Sequence, residues 1–144
     1  MAAKWRRINV EIPSDLKPRE RQLVAEEIIE FIQERTSDGF DKRNKPLSRK
    51  PYTAAYAKRK GVSPGSVDLV LSGDMLGDIE LLSHKRGNLL IGFKNGTESN
   101  AKADGNITGS YGRPSGDKKK ARDFLGIFKK DVKALIDAID FEDS

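Results

Sequence analysis

The residues of this chain that could do chemistry are few, and none stands in a constellation that completes a reaction. His84 is the sole histidine, and an imidazole that titrates near neutrality can act as a general base. It lies at the end of the apolar run Ile79 to His84, just before the basic turn Lys85-Arg86-Gly87. The chain has no cysteine, and no serine stands in a nucleophile-elbow motif, so nothing is matched to that base. A histidine at a strand end is the simpler reading. Asp74 and Asp78 lie four apart, with Glu80 beyond them. Paired carboxylates can bind a divalent cation or share acid–base work. Asp74 after Gly73 is more simply a helix cap, and Asp78 a solvated acid. Gly92-Phe93-Lys94-Asn95-Gly96 follows an apolar run, as a phosphate loop would. Neither Gly-Lys-Ser/Thr nor a dinucleotide-binding glycine triplet accompanies it, so it reads as a strand end and turn. The residues therefore assign no catalytic, cofactor-binding or metal-ligating position, and an enzyme is not expected.

Charge carries more of the information. The basic residues cluster in Lys42 to Lys50, Lys58-Arg59-Lys60, Lys85-Arg86 and Lys118 to Arg122, with Tyr52, Tyr56 and Tyr111 near some of them. Cations interleaved with aromatics suit a nucleic-acid surface. An acidic stretch from Glu20 to Glu34 and an acidic tail from Asp137 to Asp143 offset them, leaving a net charge of only +5. That excess is small for a dedicated nucleic-acid binder. Opposite charges segregated along one chain suit subunits that meet side by side. Subunit contact is the first reading; a small basic nucleic-acid-binding protein is the alternative.

At 144 residues the chain fits one domain with a core of its own. With 36% hydrophobic against 34% charged residues, it is leaner and more charged than an ordinary domain, as in a protein whose neighbours complete its burial. Lack of cysteine removes disulfides and the usual structural zinc ligands. The first residues lack the apolar run of a signal peptide, and no stretch is long enough to span a membrane.

The patterning predicts an α+β domain spanning residues 1–144: a small, mostly antiparallel sheet with a long N-terminal helix and a C-terminal helix packed on it. Trp5 to Ile12 alternates with period two, as a half-buried strand does. After Pro13, Ser14 and Asp15 offer N-caps, and Pro18 suits a first helical turn. Leu23, Val24, Ile28, Phe31 and Ile32 then fall at helical spacing within Arg19 to Arg35, with Glu26, Glu27, Glu30 and Glu34 outward. A short helix is expected from Tyr52 to Lys60, stopped by Gly61. Ile79 to His84 and Asn88 to Phe93 form a hairpin, with Gly87 free to take positive φ at its turn. Residues 95–120 hold five glycines and little that is apolar, so they are expected to be a long loop, mobile in a free subunit. Leu125, Phe128, Val132, Leu135, Ile136 and Ile139 then mark the last helix.

Four segments together resemble a known family. Leu71-Ser72-Gly73-Asp74-Met75-Leu76-Gly77-Asp78-Ile79 resembles the "threonine/serine-glycine-x-leucine, then a strand" signature of the tailed-phage virion-morphogenesis proteins. Tyr52 to Gly61 resembles the tyrosine- and lysine-rich helix upstream of it. Downstream, Leu89 to Phe93 resembles the strand ending in isoleucine-glycine. Arg122-Asp123-Phe124-Leu125-Gly126-Ile127 resembles the "arginine-proline-phenylalanine-leucine-glycine" stretch before the last helix, with Asp123 where proline is usual. The order and spacing agree over residues 50–141. The family's tyrosine- and histidine-bearing segment after the isoleucine-glycine strand is absent. The resemblance implies an α+β structural protein of the virion, assembled in the bacterial cytoplasm. It implies a homo-oligomeric ring, hexamer or dodecamer, at the neck, tail-completion or tail-terminator position. Its partners would be connector, neck or tail-tube and sheath proteins, with packaged DNA in the lumen and no membrane. The candidate subunit-interface residues are Glu27 and Glu30 on the acidic helix, Lys58 and Arg59 in the basic segment, and Arg122 and Phe124 before the last helix.

Overall fold

The computed structural model of the chain describes residues 3–45, 73–108 and 123–141. Its elements run β1 (Arg7–Glu11), α1 (Pro18–Ser37), α2 (Gly73–Gly77), β2 (Glu80–Lys85), β3 (Asn88–Gly92), α3 (Glu98–Thr108) and α4 (Lys129–Ala138). The three strands form one antiparallel sheet in the order β1-β3-β2. This is the expected α+β architecture, with the long N-terminal helix against β2, β3 and α4. The short helix expected from Tyr52 to Lys60 lies outside the described residues.

The sheet follows from its alternation. Val10 and Ile12 turn inward to join Leu89, Ile91 and Phe93, while Arg7, Asn9 and Glu11 stay exposed. Strand β1 runs from Arg7, and its ladder reaches one step further back, where the Arg6 carbonyl accepts the Phe93 N–H at 3.1 Å. Gly92, paired with Arg7, permits this approach: a Cβ there would lie 2.5 Å from the Arg6 carbonyl oxygen and 2.6 Å from the Arg7 Cα. Glycine lets the first residues cross close over β3. At the hairpin tip Gly87 adopts φ +82°, and its carbonyl accepts the Ile12 N–H at 3.1 Å. Strand β2 carries a bulge between Leu81 and Ser83.

Helix α1 buries Val24, Ala25, Ile28 and Ile32, which face the sheet at helical spacing. It starts at Pro18 rather than after Ser14 or Asp15. Proline suits the first helical position, and the Glu20 carboxylate reaches back to accept the Lys17 N–H at 2.8 Å. Its end is a Schellman motif. Gly39 has φ +92°, its N–H bonds to the Thr36 carbonyl, and the Phe40 N–H bonds to the Arg35 carbonyl, both at 3.0 Å.

Two expectations are corrected. The long loop expected over residues 95–120 contains a helix of 11 residues, α3. Thr97 caps it, its Oγ1 accepting the Asn100 N–H at 3.2 Å. The helix needs few apolar groups because it docks through small and amide side chains: Asn100, Ala103, Gly105 and Asn106 are its buried residues. The last helix begins at Lys129, not Leu125. Leu125 to Phe128 is not helical: a tertiary bond described below holds the Gly126 carbonyl, and the helical ladder opens only where the Val132 N–H bonds the Phe128 carbonyl at 3.1 Å. Within α4 only Val132 is buried, with Leu135 and Ile136 half-buried beside it.

Candidate subunit interface

Two surfaces of the fold present groups without partners. The first is the solvent side of α1. Glu26, Glu27, Glu30 and Glu34 are all exposed there, because the helix spends its apolar stripe on the sheet. None of them joins an ion pair among the described residues, whose pairs involve Arg6, Lys42, Lys94, Lys102 and Lys129 instead. Spacing of three and four residues puts these carboxylates on adjoining turns, where like charges repel weakly and a basic neighbour would relieve them.

The second surface is a cleft of about 450 Å³ along β1. Ile8 and Val10 form one wall, and Leu125, Ile127, Phe128 and Val132 the other. Phe128 is 39% exposed at its mouth. Lys129 reaches across to Glu11 at 3.0 Å. Lys42 closes one end, bonding Asp123 through both its ammonium (2.8 Å) and its backbone N–H (2.9 Å).

Arg35 lies behind the cleft and holds the stretch of chain that lines it. This side chain is 7% exposed, and its Nη2 donates to the carbonyls of Phe124 and Gly126, each at 2.7 Å. The guanidinium also lies 5.5 Å over the Phe31 ring. Burial pulls its pKa down, while Asp41 and Asp131 oppose that shift. Arg35 therefore pins residues 124–126 in an extended path against the end of α1. In the sequence Arg35 is only the last residue of a helical pattern. Its one sequence signal is that it falls on the buried stripe, seven residues after Ile28.

A third cluster anchors the chain's start. The Asn100 Oδ1 accepts the Arg6 N–H at 2.7 Å and its Nδ2 donates to the Lys4 carbonyl at 3.1 Å. Arg6 pairs with Asp104 at 2.7 Å, both side chains 19% exposed. Trp5 Nε1 donates to the Phe93 carbonyl, and Arg7 stacks 4.1 Å over the Trp5 ring. A side-chain amide thus substitutes for a strand and ties residues 4–6 to α3.

The groups weighed for chemistry do not converge. Asp78 accepts a hydrogen bond from Ser99 Oγ, and Glu80 lies 4.0 Å from Lys94. His84 is half-buried in β2, its Nδ1 without a hydrogen-bond partner. Among the described residues no group of three metal-ligating side chains gathers. Of the six candidate interface residues, Glu27 and Glu30 are exposed together on α1. Lys58, Arg59 and Arg122 lie outside the described residues. Phe124 is corrected: it is fully buried, edge-on to Phe93 with ring centroids 6.3 Å apart, so it belongs to the core and offers nothing to a neighbour. No helix among the described residues is long and apolar enough to cross a membrane. Comparison of the chain with protein-family models, with curated proteins and with solved structures found no match to any of them.

Proposed function

We propose that this chain is a non-enzymatic structural subunit of a tailed-phage particle, assembling into a ring at the head–tail interface that joins tail to head. The observation that carries the reading is the row of exposed carboxylates on α1, Glu27 and Glu30 among them, which finds no cation among the described residues of its own subunit. An acidic face on one side and basic segments elsewhere suit a head-to-tail contact, and contacts between two different surfaces close into a ring where the rotation between neighbours closes. The motifs around Leu71 to Ile79, Leu89 to Phe93 and Arg122 to Ile127 support the virion assignment by their resemblance to virion-morphogenesis proteins. Cations at Lys58 and Arg59 are the partners proposed for the acidic row. The test is negative-stain imaging and sedimentation of the purified chain and of phage particles containing it. Rings are expected from the native chain. A Glu27→Lys/Glu30→Lys variant is expected to stay folded by circular dichroism and to lose the ring, and adding Lys58→Glu/Arg59→Glu should restore part of it. Normal rings from the first variant would remove α1 from the interface.

A further inference from the structure

We propose that β1 is a self-pairing edge: two copies of the chain join β1 to β1 antiparallel about a two-fold axis through Asn9, making one continuous six-stranded sheet. This is a contact separate from α1 and stands whether or not the ring reading does.

The backbone sets the register. Among the described residues β1 is an outer strand, bonded to β3 on one side only. The Phe93 N–H bonds to the Arg6 carbonyl and the Ile12 N–H bonds to the Gly87 carbonyl, so the even-numbered residues face β3. Antiparallel ladders alternate, so the N–H and C=O groups of Arg7, Asn9 and Glu11 point to the open side. None of them has a backbone partner among the described residues outside the sheet. A second strand must therefore match odd residues to odd residues. Centring the axis on Asn9 does this: Asn9 meets Asn9, Arg7 meets Glu11 of the second copy, and Glu11 meets its Arg7.

The side chains agree with that register. Arg7, Asn9 and Glu11 share the exposed face, and Ile8 and Val10 the inner one. The pairing thus places a cation opposite an anion at both ends, and Ile8 opposite Val10 beneath. An edge guarded against pairing carries like charges or proline. This one carries opposite charges at symmetry-related positions, an arrangement that favours its own copy over other strands. Beside the edge, the cleft lined by Ile8 to Glu11 on one side and Leu125 to Lys129 on the other leaves room where the second copy's β1 would arrive, Glu11 exchanging Lys129 for the second copy's Arg7. The exposed ring of Phe128 would be covered there.

The chain contains no cysteine, which allows a direct test. In a hydrogen-bonded antiparallel pair, facing Cα atoms are about 5.5 Å apart, within disulfide reach. Asn9→Cys chains treated with a mild oxidant should link to each other rapidly, while Glu26→Cys chains, altered on α1, should link far more slowly. Asn9→Pro removes an N–H that points away from β3. Proline is tolerated at such edge positions, so that variant should keep its circular dichroism and sediment as a species without the β1 contact. Arg7→Glu should weaken pairing by roughly tenfold, and Arg7→Glu/Glu11→Arg should recover it. Equal linking rates for the two cysteine variants would overturn the proposal. So would a folded Asn9→Pro chain that associates as the native chain does, or a cleft that captures an unrelated strand while β1 stays unlinked. Absence of rings from the native chain, with intact Asn9→Cys linking, would remove the ring reading and leave this one standing.

Discussion

Arg35 and Asn100 do at single-residue scale what hydrophobic burial does elsewhere in the core. Arg35 supplies one nitrogen to two carbonyls that no helix or strand satisfies. Replacing it strands both oxygens in a buried site, and hydrogen bonds to charged donors are among the stronger ones. Arg35→Met keeps the aliphatic stem and removes only the donors. We expect a loss of about 2–4 kcal/mol in urea unfolding, with faster exchange at Leu125 to Ile127. An unchanged midpoint would show that water replaces the guanidinium. Asn100→Ala removes a donor and an acceptor that hold Lys4 and Arg6, for an expected loss of about 1–3 kcal/mol. Asn100→Asp should recover little of it, since a carboxylate cannot donate to the Lys4 carbonyl. Gly92→Ala tests the close crossing of Arg6 and Arg7 over β3. The added methyl group must displace backbone rather than a flexible side-chain tip, so a loss of about 1–3 kcal/mol is expected in thermal unfolding.

Among the elements, α3 separates composition from conformation most clearly. Its residues Glu98 to Thr108 include two asparagines, a glycine and few large apolar groups, and its mean propensity is modest. What stabilises it is context. Thr97 caps its first turn, Lys102 pairs with Glu98 at 3.4 Å across one turn, and Asn100 and Asp104 hold the chain's start. Such a helix should depend on its docking partners more than α1 does, because isolated helices of this length are marginal. Native-state hydrogen exchange should show Ala103 to Asn106 protected in the intact chain. The same amides should lose protection selectively in a chain lacking residues 1–6, while Val24 to Ile32 stay protected. Retained protection at Ala103 to Asn106 would show that α3 stands without the N-terminal segment.

At the scale of the molecule, charge and edge define where neighbours meet. The acidic side of α1 and the open side of β1 are different surfaces, and a subunit using both would form pairs as well as rings. Salt should separate them. Contacts among exposed charges on α1 are screened as ionic strength rises, whereas main-chain pairing along β1 responds little. Sedimentation from low to high salt should therefore dissolve the α1 contact first. Loss of both contacts together would mean that one contact depends on the other. The alternative reading as a nucleic-acid binder predicts a steep salt slope in DNA binding. A flat slope, or no binding, would leave subunit contact as the role of the basic segments.

Local patterning alone determined the α+β class, the strand alternation of β1, the hairpin with Gly87 at its turn, and the long helix with glutamates outward. Each depends on a short repeat, period two or 3.6, or on a turn residue with a special φ, and such signals are written in neighbouring residues. Glu27 and Glu30 were legible as exposed positions for the same reason. What only the tertiary structure decided are the features that join distant residues. Phe124 reads as an interface aromatic in its local stretch, yet it is core because Phe93, thirty-one positions earlier, stands edge-on to it. Leu125 to Phe128 has helical apolar spacing, yet Arg35 holds the carbonyl of Gly126 within this stretch, and that of Phe124 just before it, outside a helical ladder. Residues 98–108 read as loop because burial was sought in large apolar side chains. The helix instead buries amides, which need hydrogen-bond partners: Asn106 finds one in the Lys102 carbonyl of its own helix, but Asn100 depends on the backbone of Lys4 and Arg6, distant in sequence. The open edge of β1 is likewise invisible in sequence, since which strand lies outermost is settled by pairing between segments some eighty residues apart.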